Sequence, residues 1–190
     1  MRRALLVNGL PASGKTTLGL EIAAALALPF LSRDTVKEQL FDVFGTPDRE
    51  TNRSWGKASL EIVWSVIRDF PEEVDVIVEA WFGMPPHDDV VAGLERARID
   101  TVAELWCFAS GDVLAARYTE RVSKRHPGHP DASYARELAL LPPRVAAMGL
   151  GPVLSVDTSD LARVNVAELA GWVAKELQLL RPSIREPQSG

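Results

Sequence analysis

The run Gly9-Leu10-Pro11-Ala12-Ser13-Gly14-Lys15-Thr16-Thr17 sets two glycines, an ammonium group and two hydroxyls at the spacing G-x-x-x-x-G-K-[ST]. Residues of these types in this order hold a chain of phosphates. Gly9 and Gly14 admit backbone dihedrals and a closeness of approach that a Cβ obstructs, while the backbone N–H groups of the loop, from Ala12 and Ser13 to Thr16 and Thr17, converge on one point. Lys15 then places a compact charge on the β and γ phosphates, and Thr16 offers its hydroxyl to Mg²⁺. As an exposed loop lysine, Lys15 is expected to contribute little to stability.

Such a loop needs a buried strand before it and a helix N-terminus after it, because the helix dipole adds to the attraction for an anion. Both flanks are present. Ala4-Leu5-Leu6-Val7-Asn8 is an apolar strand, and Thr17 to Leu26 is a helix-forming stretch. The rest of the chain alternates in the same way, which predicts a parallel sheet covered on both faces. Leu28 to Ser32 reads as a short second strand and Thr35 to Val43 as a helix, with Thr35-Val36-Lys37-Glu38 as a capping box and Thr35 as its N-cap. Gly45 to Ser54 is polar and turn-rich, and a helix with Leu60, Val63, Trp64 and Ile67 inward comes after it. Further strands fall at Val74 to Glu79, Thr101 to Phe108 and Pro152 to Val156. Between them, His87 to Arg98 forms a helix with Val91, Leu94 and Ala97 inward, and Asp112 to Lys124 forms another that leads into Arg125-His126-Pro127-Gly128-His129-Pro130. A last helix runs from Val166 to Leu179. Residues 1–181 then make one domain and 182–190 a flexible tail.

Composition sets the bounds. The 190 residues are 46% hydrophobic and 25% charged, which suits one globular domain and neither disorder nor a membrane protein. No apolar run approaches the roughly 18 residues of a membrane span, and Met1-Arg2-Arg3 leads straight into the first strand, so a structural N-terminus is expected, not a leader. Cys107 is the single cysteine and sits in an apolar run, as a buried thiol in a cytoplasmic protein would. A net charge of −5 argues against a broad nucleic-acid footprint.

Asp42-Val43-Phe44-Gly45 matches the D-x-x-G of GTPases, but it ends a helix where that motif comes after a strand, and no N-K-x-D accompanies it. A small phosphotransferase remains. GLPASGKTT, SRDTVKEQLFD after the second strand, VIVEAWF at the third, DVLAARYTERVSKRHPGH and a late VDTS occur in that order. In this order the chain resembles the small P-loop kinases grouped with chloramphenicol phosphotransferase, zeta-toxin kinases, gluconate kinase and the 5′-polynucleotide kinases. The resemblance covers nearly the whole chain, and its most specific part is the phosphate loop. It implies a three-layer α/β P-loop NTPase fold with a five-stranded parallel sheet in order 2-3-1-4-5 and a helical lid at residues 112–135. It also implies ATP as donor with Mg²⁺, and a hydroxyl of a small molecule as acceptor.

Phosphoryl transfer needs a group at the acceptor proton, a metal ion and positive charge over the moving phosphoryl. Asp34, after the second strand, stands where similar kinases face the acceptor hydroxyl; the other reading is a helix cap. Lys37, on the same helical face, either holds an anionic group of the acceptor or is a solvated lysine. Glu79, ending the third strand, serves Mg²⁺ through water or binds acceptor hydroxyls, and Trp81 beside it walls the acceptor pocket or packs in the core. Arg117, Arg121 and Arg125 recur every fourth residue on one helical face; in similar kinases such lid arginines close on the phosphates, Arg117 toward the nucleotide and Arg121 and Arg125 in catalysis. His126 and His129 suit a lid turn or acceptor contact better than zinc. Asp157 and Thr158 lie where these kinases place adenine, or cap the next segment of chain. Two rival functions share these parts: a 5′-polynucleotide kinase, and an ATP-binding regulatory module without transfer activity.

Overall fold

The computed structural model describes residues 1–179. Five parallel strands, β1 (Arg2–Gly9), β2 (Phe30–Ser32), β3 (Val76–Ala80), β4 (Ile99–Phe108) and β5 (Val153–Asp157), form one sheet in the order β2-β3-β1-β4-β5. β1 is central because it is apolar on both faces: Ala4, Leu5, Leu6 and Val7 are fully buried. Strand alternation divides these side chains between two cores. Leu5 and Val7 pack with Ile77, Leu105 and Cys107 beneath α1 (Lys15–Leu26) and α7 (Val166–Glu176). Ala4 and Leu6 pack with Val76 and Val78 beneath α3 (Arg49–Arg68) and α4 (Asp88–Arg96). A third core joins Leu10 and Ala12 of the phosphate loop to Leu114 and Tyr118 of α5 (Gly111–Arg121) and Leu138 of α6 (Tyr134–Ala139). The phosphate loop and the helices expected to form a lid thus share one packed interior.

Because all five strands run the same way, their C-terminal ends meet along one sheet edge, where ligand crevices of α/β folds lie. Ser32 of β2 and Val7 of β1 both register with Glu79 of β3. Burial places Cys107 among apolar neighbours and pushes its thiol up to about 12, so it is inert as a nucleophile at neutral pH. No helix among the described residues is long and apolar enough to cross a membrane.

Several boundaries differ from the sequence reading, each for a visible reason. α2 (Arg33–Phe44) starts two residues early because Ser32, not Thr35, is the N-cap: its Oγ accepts from the Asp34 N–H at 3.2 Å. α3 begins at Arg49, inside the stretch expected to be turns, because Asp48 caps it by accepting from Thr51 N–H at 2.8 Å. On α4 the inward residues are Val90, Gly93 and Leu94, while Val91 is exposed. Gly93 lies against the Trp64 indole, where an added Cβ would stand 2.2 Å from Nε1, and that contact fixes the helix phase. α5 stops at Arg121, and after a 3-10 turn at Val122–Lys124 the chain is extended at Arg125. The single arginine face expected over Arg117, Arg121 and Arg125 therefore ends before Arg125. The domain end expected at 181 and the tail at 182–190 lie outside the described residues.

Candidate active site

The loop between β1 and α1 is closed tightly enough that its glycines are required. At Gly9 (φ 155°) a Cβ would stand 2.4 Å from the Cys107 carbonyl oxygen, and at Gly14 (φ 78°) 2.8 Å from Leu161. The loop's exit from the sheet is set by a buried polar pair that sequence reading passed over. Asn8 Oδ1 accepts from Gly9 N–H at 2.8 Å, and its Nδ2 donates to Glu104 Oε1 at 2.8 Å. Glu104, fully buried, also accepts from the N–H groups of Met148 and Gly149 at 3.0 and 2.9 Å. An Asn and a Glu amid apolar strands were the available signal, since buried polar groups must be paired.

Lys15 is not exposed. It is 7% accessible, its Nζ 3.5 Å from the Leu10 carbonyl and 3.4 Å from Glu79 Oε1. Glu79 Oε2 accepts from Ser32 Oγ at 2.6 Å, so the carboxylate and the ammonium are oriented as a pair. Thr16 and Thr17 open α1 with exposed side chains. The fit to a polyphosphate rests on unmet bonding capacity: Ser13 Oγ, Arg117 NH1 and Arg121 Nε are buried without a partner among the described residues. Three donors of this kind in the loop and the lid helix suit an anion.

Next to Lys15 lies a cavity of about 160 Å³ lined by Asp34, Lys37, Trp81 and Arg125 together with Arg33, Asn52, His129 and Tyr134. Five residues singled out in the sequence, Asp34, Lys37, Trp81, Arg125 and His129, thus line one cavity with the phosphate-loop lysine. Asp34 does not cap α2. Its Oδ2 accepts from Arg125 at 2.7 Å and its Oδ1 from Arg33 at 2.9 Å. Burial opposes the charge on Asp34, but Arg33, Lys15 and Arg125 together outweigh it and hold the carboxyl well below the usual carboxylate range. Arg33 also donates to the Trp81 carbonyl at 2.7 Å. Trp81 is half-buried and lines the cavity, whereas Phe82 belongs to the core. Lys37 is buried and donates to Asn52 Oδ1 at 2.6 Å. Arg33, Asn52 and Tyr134 were not singled out in the sequence. The Asp48 cap was the signal that would have placed Asn52 on a helix.

The lid turn is docked on α2 and α3. Asn52 Nδ2 donates to the Gly128 carbonyl at 2.8 Å, His129 Nε2 meets Glu38 Oε1 at 2.7 Å, and His126 Nε2 meets Asp42 Oδ1 at 3.1 Å. Phe41 packs against both rings, stacked with His126 and edge-on to His129. No metal-binding group of His, Cys, Asp and Glu occurs among the described residues. Burial, then the nearby Arg125, lowers His129 to about 3, so the ring is neutral and its contact with Glu38 is a hydrogen bond. An undocked histidine protonates near 6.5. Between 6.5 and about 3 the undocked turn therefore binds more protons, and docking weakens as pH falls through that window. The upward shift of Glu38, caused by burial, works the other way but is the smaller. Amide exchange at Gly128 and His129, corrected for intrinsic rates, should lose protection between pH 7 and 5 in the wild type and keep it in His129→Gln.

Arg117, Asp157 and Thr158 form a separate group at the end of β5. Arg117 donates to the carbonyls of Thr158 and Ser159 at 2.8 and 3.0 Å. Thr158 is buried, its hydroxyl donating to the Phe108 carbonyl at 2.8 Å, and Asp157 accepts from Ser159 N–H at 2.8 Å. Arg121 is half-buried, with its guanidinium 5.7 Å from the centroid of the Tyr118 ring.

No protein-family model matches the chain, and no curated protein matches it by sequence. Solved structures do. A candidate kinase from Chloroflexus aurantiacus is 32% identical over 93% of this chain and 99% of that one, with a TM-score of 0.80. The chain belongs to the small P-loop kinase family. The same family fold extends to a shikimate kinase from Bacteroides thetaiotaomicron (20% identity, 93% of this chain and 98% of that one, TM-score 0.58). It extends also to a gluconokinase from Sinorhizobium meliloti (22%, 92% and 91%, TM-score 0.55). The parallel sheet in order 2-3-1-4-5 is that of these small P-loop kinases, as the sequence resemblance implied.

Proposed function

We propose that the chain is an ATP-dependent kinase that transfers the γ-phosphoryl group to a hydroxyl of a small molecule. The observation that carries this reading is the cavity shared by Lys15 of the phosphate loop, Asp34 of α2 and Arg125 of the lid. Mg·ATP, when bound, would supply a transferable phosphoryl group and a divalent charge to offset that of the phosphates; the loop N–H groups, Lys15 and Thr16 would hold it. Asp34 orients the acceptor hydroxyl and takes its proton. Lys15, kept in place by Glu79, counters the charge that develops toward the leaving group. Arg125 has two uses: paired with Asp34 without ligands, it turns to the phosphates only when donor and acceptor are both bound. Its departure removes one of the charges that depress Asp34, which raises the proton affinity of the carboxylate at the moment a base is needed. The lid over the cavity excludes water that would otherwise hydrolyse the donor.

A screen of hydroxyl compounds should find one that converts ATP to ADP in one-to-one yield with a phosphorylated product. Nucleotide binding without turnover, or turnover only on oligonucleotide 5′ ends, would replace this reading with one of its two rivals. Arg125→Ala is expected to lower kcat by about 10²-fold while the ATP dissociation constant changes by less than about threefold. Arg125→Lys should recover little, because an ammonium lacks the planar fork that serves a carboxylate and a phosphate in turn. Wild-type turnover in Arg125→Ala would remove Arg125 from the mechanism.

A further inference from the structure

Lys37 is a buried ammonium with no counter-ion among the described residues. It is 8% exposed, makes no ion pair with any of them, donates to the Asn52 side-chain oxygen, and stands 5.5 Å from the Phe41 ring centroid. An ammonium has three N–H donors, and one is used. Such a group is costly to bury unless an anion meets it. The one carboxylate in its cavity, Asp34, is already shared by Arg33 and Arg125, and His129, which also lines it, is neutral. The cavity therefore has more cations than its own residues neutralise. Burial first, then the field of Arg33, lowers Lys37 to about 8, with Asp34 pulling the other way and Arg125 adding to the fall. Its burial excludes a solvated lysine and leaves a cationic side chain without a counter-ion among the described residues.

We infer that the acceptor is an anionic hydroxyl compound whose carboxylate or phosphate sits on Lys37 while its reacting hydroxyl faces Asp34. The inference rests on the kinase reading above and adds the acceptor's chemical class to it. Asp34 and Lys37 are three residues apart on α2, so they are neighbours on one helix face about 5–6 Å apart at their Cβ atoms. An acceptor that spans them has its hydroxyl and its charge separated by a few bonds. The cavity of about 160 Å³ admits a molecule of that size. A neutral polyol would fill the same space and leave Lys37 unmatched.

The test reads Lys37 itself and needs no knowledge of the natural acceptor. Wild-type protein with the phosphate loop filled by Mg²⁺ and a non-hydrolysable ATP analogue is titrated by ¹³Cε NMR of labelled lysine, with Lys37→Gln to assign the signal. Glycerate, glycerol 3-phosphate and glycerol are added in turn. Glycerate or glycerol 3-phosphate should raise the Lys37 midpoint by at least one pH unit, in a saturable way, and glycerol should not. Whichever anion acts at the lower concentration identifies the group. In Lys37→Gln, which keeps a donor to Asn52, calorimetry should show at least tenfold weaker binding of that anion. No shift with either anion up to 100 mM, or equal shifts with glycerol, would overturn the inference while analogue binding leaves the kinase reading in place. Failure of the analogue to bind would instead overturn the kinase reading, and the anion site would lose its place as part of an acceptor.

Discussion

Lys15→Ala is expected to lower phosphoryl transfer by about 10²- to 10³-fold, the usual cost of one preorganised charge that acts in the transition state. It should also lower the melting temperature. Lys15 is buried against Glu79, so truncation strands a carboxylate that is 2% exposed and has only Ser32 as its remaining partner among the described residues. Removing one member of a buried pair typically costs several kcal/mol because the other charge is left uncompensated. The expectation of an exposed lysine with little effect on stability is corrected by this contact. The two effects separate in the double variant Lys15→Ala with Glu79→Gln, which should recover much of the stability and none of the activity. Transfer at the wild-type rate in Lys15→Ala would mean that this loop does not hold the donor phosphates. Restored activity in the double variant would mean that Lys15 serves only to neutralise Glu79.

Asp34→Asn should depress turnover by about 10²- to 10⁴-fold, the range for loss of a positioned general base, with ATP affinity near wild type. The melting temperature should also fall, because the neutral amide leaves Arg33 and Arg125 without the carboxylate they share, although Ser32 still caps α2. The variant also weakens the tie to Arg125, so the base role must be separated from a lid-latch role. If Asp34 only fastened the lid, Asp34→Asn and Arg125→Ala would give equal defects and the double variant would be no worse than either. If Asp34 is the base, it should cost more than Arg125→Ala alone, with a measurable coupling between the two. Equal defects in all three variants would therefore sink the base assignment and keep the latch.

Short-range chemistry made much of this molecule legible before any coordinates. The phosphate loop is a local motif, its glycines and lysine are fixed by spacing within nine residues, and the apolar run at Ala4 to Val7 needs only its own composition to be a buried strand. Asp34, Lys37 and Trp81 were within reach because the C-terminal ends of parallel strands must gather at one edge. Helix starts were less legible for a physical reason. Thr35-Val36-Lys37-Glu38 and Ser32 are both competent caps, and the choice is made by where β2 leaves the sheet, which depends on Ser32 lying beside Glu79 of β3. Asp48 was missed in the same way, since a cap within a polar stretch looks like a turn until the helix beyond it packs.

The sequence by itself determined the loop, the alternation of strands and helices, and the residue types that the site uses. The tertiary structure decided which of them meet. Arg125 reaches Asp34 across 91 residues of chain, and Asn8 reaches Glu104 across 96. Packing decided that Lys15 is paired with Glu79 while Lys37 lacks a counter-ion among the described residues. The pairing of a charge depends on the distance and dielectric between side chains brought together by packing, and neither quantity exists along a one-dimensional sequence.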